Sequence, residues 1–65
     1  MKNQNKPVAK IIGEDGNIFN LMSIAASALR NAGLHDQVAQ MFEDVKSSDS
    51  YSEALIILMN YVEAK

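Results

Sequence analysis

The chain has 65 residues, a formal net charge of -2 and no cysteine, so it holds one small domain, stapled by neither a disulfide nor a zinc site built from Cys and His ligands. At this size burial and ordering entropy nearly cancel, which leaves oligomerisation as the remaining source of support. Six Lys and Arg against eight Asp and Glu give no electrostatic footprint for a phosphate backbone, and nucleic acid is disfavoured as a direct partner.

With 48% hydrophobic residues the chain is too apolar for a disordered protein. It has neither the apolar run of a signal peptide nor that of a membrane span. A cytoplasmic location without membrane contact is the expectation, and the missing cysteine agrees with it.

In chain order, residues 1–6 are polar and aperiodic and read as a disordered tail, with a single domain over 7–65. Pro7 starts an extended stretch, and the run Val8, Ala9, Lys10, Ile11, Ile12, closed by Gly13, predicts a short strand over 8–12. Glu14, Asp15, Gly16 and Asn17 are turn residues, with Asp-Gly suited to positive φ.

From Ile18 the period becomes helical. Ile18, Met22, Ala25, Leu29 and Ala32 form an apolar stripe widened by Phe19 and Ala26, which predicts a helix over about 17–32. Asp15 or Asn17 is its expected cap, and Gly33 its left-handed terminus. A second helix is predicted over about 35–46. Leu34 is its staple, Asp36 lies near its start, and Val38, Met41, Phe42 and Val45 share its apolar face. After the break at 47–50, Ser50 and Glu53 form a capping box that starts a third helix over about 51–63.

That third helix carries six apolar residues in succession, from Ala54 to Met59, and needs cover on more than one side. The strand needs a partner as well, and no second stretch with strand character lies outside the helices. Either a second copy pairs with it antiparallel across a twofold axis, or it lies over the helices with water on its backbone. Val8, Ile11, Ile12, Ile56, Ile57 and Met59 are the candidate self-association surface.

No catalytic constellation emerges. The Gly13 to Gly16 segment has the spacing of a phosphate-clamping GxxG loop, but its two carboxylates would repel phosphate. It also lacks the alternating oxygen ligands of a calcium loop. His35 is the sole imidazole and falls at an exposed first helical turn. Ser23, Ser27 and Ser50 read as helix-surface and cap residues. Glu43/Asp44 and Asp49/Glu53 read as a solvated face and a cap rather than an acid and base, and Met22, Met41 and Met59 as core filling. A DNA-recognition helix fails on the acidic Asp36, Glu43 and Asp44 that flank Gln37 and Gln40.

The stretch ALRNAGLHDQVAQMFEDVKSSDSYSEAL is similar in cadence to one tetratricopeptide repeat, with Gly33 at the turn, Phe42 inside the second helix, and 51–54 opening the next. It departs from that pattern at Val38 and Val45, where the family prefers Ala, and in having only about one unit. This resemblance implies a helical hairpin without a peptide groove. A wider resemblance, carried by IIGEDGNIFNLMSIAASALRNAG and SYSEALIILMNYVE, is to small uncharacterised proteins of Gram-positive bacteria, their phages and mobile elements. It implies a bacterial cytoplasmic setting and no site.

The expected fold is mainly α: a short N-terminal strand followed by a three-helix bundle. The expected role is that of a non-catalytic interaction module without metal or cofactor, forming a homodimer or engaging another protein. The alternative is a regulatory accessory factor acting on nucleic acid, directly or through a protein.

Overall fold

The computed structural model describes residues 6–13 and 16–65. In chain order it contains β1 (Val8–Ala9), α1 (Ile18–Asn31), α2 (His35–Lys46), α3 (Tyr51–Tyr61) and β2 (Glu63–Ala64). The three helices pack against one another in pairs, and the two short strands form a parallel sheet beside α1 and α3. Residues 1–5 of the expected tail, and Glu14 and Asp15 of the expected turn, lie outside the described residues.

Local chemistry accounts for the helix ends. The Asn17 side chain accepts from Phe19 N at 2.8 Å and caps α1. At the other end Gly33 N donates to Arg30 O and Leu34 N to Leu29 O, at 2.9 and 2.8 Å. This double closure requires a left-handed residue at Gly33, which has φ +78°. Leu34 thereby terminates α1 and occupies the N-cap of α2, where it makes no side-chain cap bond and packs against the core.

Ser50 Oγ accepts from Glu53 N at 3.1 Å and starts α3 as expected. The reciprocal half of the box is displaced by one residue: Glu53 Oε1 accepts from Asp49 N at 2.6 Å rather than from Ser50 N.

Leu21, Met22, Ala25, Ala26 and Leu29 from α1, Val38, Met41 and Val45 from α2, and Ala54 and Leu58 from α3 form the core with Ala9 and Val62. Among the described residues no polar or charged side chain is buried. The stripe on α1 is therefore rotated from its expected position. Leu21 joins it, Ala32 lies beyond the helix as its C-cap, and Phe19 is 75% exposed. Phe19 occupies the first turn, where its ring borders an open groove instead of the packed bundle.

Three expectations about the chain's two ends are corrected. The strand covers Val8–Ala9, not 8–12, because the Ala9 carbonyl accepts Ile11 N at 2.9 Å in a tight turn that ends the extended stretch. Its partner lies in the same chain: Val8 pairs with Glu63 and Ala9 with Ala64 in parallel register. The whole helical bundle supplies the long crossover that a parallel pair needs. Finally, α3 stops at Tyr61 rather than continuing to 63. Val62 N still donates to Leu58 O, but Val62 turns to φ -135° and puts its side chain, 0% exposed, into the core. Glu63 N then donates to Pro7 O at 2.8 Å and Lys65 N to Ala9 O at 3.0 Å. A β-branched residue suits the extended backbone at this exit from the helix.

Candidate functional site

Folding separates the six candidate self-association residues into two sets. Ile11 and Ile57 are partly buried and pack against the core, so they contribute to stability more than to an outer surface. Val8, Ile12, Ile56 and Met59 are 54%, 69%, 58% and 46% exposed, which corrects the expectation that Met59 fills the core as Met22 and Met41 do: it stands about 60° around α3 from Ile56, on the outer face. Exposure at this level on branched and thioether side chains marks apolar surface that the bundle itself does not cover.

An apolar groove of about 190 Å³ lies between the turn after β1 and α3, lined by Ile11, Ile12, Leu55, Leu58, Met59 and Ala64. It brings Ile11, Ile12 and Met59 together. Ile56 lies one turn before Met59 on the same exposed side of α3, since residues three apart are neighbours on a helix. Ile57 does not join them, because the 100° step carries it to the opposite flank.

The lone helix-three problem posed by the sequence is thus resolved only in part. Ala54 and Leu58 face inward, Leu55 and Ile57 flank them half-buried, and Ile56 and Met59 stay in water. At the C-terminal end of this strip the Lys6 ammonium donates to the Met59 carbonyl at 2.9 Å. A cation there complements the partial negative charge of the helix terminus. This contact ties Lys6, expected in the disordered tail, to the bundle, and its span of 53 positions leaves no local signal in the sequence.

A larger groove, about 420 Å³, opens between Ile18, Phe19 and Met22 of α1 and the α2–α3 turn, with Tyr51 and Ala54 on its far side and Lys46 and Asp49 at its rim. The Tyr51 hydroxyl donates to the Gly16 carbonyl and so holds the segment before α1 against the start of α3. The helical period sets Phe19 on the core-facing stripe, so the sequence pattern carries no sign of this groove.

Asp44 also departs from expectation. It is not a merely solvated carboxylate: Tyr61 Oη donates to its Oδ2 at 2.5 Å and Gln40 Nε2 to its Oδ1 at 3.0 Å. These two donors, Tyr61 first, hold its carboxyl below the usual range, while the same bond pushes the Tyr61 phenol up to about 12. A phenol shifted in that direction holds its proton more firmly, which suits a structural tie.

His35 is exposed at the first turn of α2, and Ser23, Ser27 and Ser50 are exposed as well, with Ser50 engaged as a cap. Among the described residues there is no cluster of three His, Asp or Glu that could hold a metal ion, and no helix is long and apolar enough to cross a membrane. The chain matches no protein-family model, no curated protein and no solved structure.

Proposed function

We propose that this protein is a small non-catalytic interaction module that associates with a second copy of itself through the apolar surface formed by Ile12, Ile56 and Met59. The observation that carries this reading is the exposure of all three beside an apolar groove, in a fold whose core cluster among the described residues has twelve members. Covering that surface would remove apolar area from water at roughly 25 cal/mol per Å², a useful addition to a domain this small. The strand supports the reading less than its sequence suggested, because its inner edge is already paired with Glu63–Ala64. The likeness to small proteins of Gram-positive bacteria, their phages and mobile elements adds a bacterial cytoplasmic setting to the proposal.

Sedimentation equilibrium across the micromolar range tests it. The expected result is a reversible monomer–dimer equilibrium that Ile56→Asp abolishes while circular dichroism still shows a folded helical chain. A wild-type protein that stays monomeric at every concentration overturns the proposal.

A further inference from the structure

We propose that two copies pair through α3, antiparallel across a twofold axis beside Ile56, with Lys6 of each copy facing Glu53 of the other. The inference rests on the self-association reading above and specifies its geometry.

The exposed strip of α3 consists of Ser52, Glu53, Ile56, Met59 and Asn60. Ile56 is its midpoint in sequence and its centre around the helix axis, since Ser52 and Asn60 fall about 40° to either side at 100° per residue. At about 1.5 Å rise per residue, Glu53 and Met59 sit roughly 4.5 Å before and after it. The strip has opposite charge at its two ends. Glu53 and Asp49 lie at the N-terminal end, while the Lys6 ammonium is fastened to the Met59 carbonyl at the C-terminal end.

Among the described residues neither Lys6 nor Glu53 takes part in an ion pair; the two pairs are Lys46 with Glu43 and Lys65 with Glu63. An antiparallel twofold pairing places each negative end against the partner's positive end and aligns the helix dipoles favourably. Parallel pairing would set like charges together. Complementary charge of this kind selects orientation more than it adds affinity, and apolar contact at Ile56, continued through Met59 to Ile12, supplies the attraction. From Ser52 to Asn60 the strip is only about 12 Å long, too short to bury the roughly 800 Å² per partner of a standard interface, so the association is expected to be in the micromolar range and sensitive to salt.

The chain has no cysteine, so introduced thiols report the geometry without background. A residue on a twofold axis meets its own mate. Helix axes about 10 Å apart, with Cα atoms about 2.3 Å off each axis, leave roughly 5 Å between facing Cα atoms, within reach of a disulfide. Under mild oxidant Ile56→Cys is expected to give a covalent dimer, while Phe19→Cys, at a more exposed position but on α1, remains monomeric. Because Ile56→Cys itself trims the apolar contact, charge reversal in the otherwise intact chain provides a second measurement. Lys6→Glu is expected to weaken dimerisation several-fold, and Lys6→Glu combined with Glu53→Lys to recover it, with circular dichroism checking that each variant is folded. If the protein dimerises but Phe19→Cys crosslinks in place of Ile56→Cys, or Lys6→Glu leaves the affinity unchanged, the α3 geometry is overturned and self-association stands. A monomer at every concentration removes both.

Discussion

The Tyr61 hydroxyl reaches across from the last turn of α3 to Asp44 in the last turn of α2, 2.5 Å from Oδ2, and joins two helices that local sequence treats as separate. This contact is the largest cause of both pKa shifts, with Gln40 adding to that of Asp44, and the shifts set opposite edges to the pH window in which it stabilises the fold. Tyr61 is raised from 10.0 to about 12, so its contribution is complete below pH 10 and lost as pH rises toward 12. Asp44 is lowered from 3.8, so its contribution is present above that value and lost as pH falls through the lower folded one. A Tyr61→Phe variant should melt below wild type at neutral pH, with the difference vanishing at the alkaline end. Absorbance at the tyrosinate band should show an ionisation step near 12 that Tyr61→Phe eliminates; persistence of that step in the variant would show that it belongs elsewhere.

Ser50→Ala removes the side-chain acceptor for Glu53 N at the start of α3. The expected cost is about 1 kcal/mol, which lowers the melting temperature by about 4–8 °C in a domain of this size. Calorimetry at neutral pH measures it, and an unchanged transition would mean that the cap does not limit the stability of α3.

Gly33 offers a separation of backbone strain from steric clash. A Cβ there would meet nothing within 4 Å, yet φ is +78°, so Gly33→Ala should cost only the left-handed penalty of about 1–2 kcal/mol. Gly33→Asn should cost less, because Asn tolerates that conformation better. Urea unfolding of the two variants checks the order; equal stability of Gly33→Ala and wild type contradicts the double closure at the end of α1.

Leu58 and Ile56 lie on the same helix two positions apart, and their burial predicts opposite outcomes. Leu58 is 0% exposed, so Leu58→Ala should cost about 2–5 kcal/mol, a large share of the roughly 3–10 kcal/mol expected for a chain of this length. Leu58→Asp should leave the chain unfolded, since it buries a charge without a partner. Ile56→Ala, in dilute monomer, should change stability by no more than about 0.5 kcal/mol. Chemical denaturation compares the three, and a large loss for Ile56→Ala would show that its face is already packed within one chain.

The sequence was informative wherever the physics is local. Asn17, Gly33 and Ser50 each act on backbone groups within five residues, and each occupies the position its chemistry suggests. The second helix has the limits its periodicity implies, His35–Lys46. Within the candidate surface the apolar pattern marked Val8, Ile11, Ile12, Ile56, Ile57 and Met59 alike, and neither the burial of Ile57 beside Ile56 nor the exposure of Met59, which the pattern equally allowed as core, could be read until the packing angle of α3 was known.

Contacts that join distant parts of the chain were a different matter. Whether Val62 and Glu63 prolong a helix or leave it depends on the Pro7 carbonyl more than fifty residues away, and nothing in the local pattern YVEA records that acceptor. The Asp44–Tyr61 bond and the Lys6 cap on Met59 are of the same kind. Sequence alone determined the helical class, the caps and turns and the approximate apolar faces, because propensity and i to i+4 spacing act within a few residues. Tertiary structure decided which strand closes the sheet, where α3 ends and which of its apolar residues remain in water, because those outcomes are set by groups that meet only after the chain has folded.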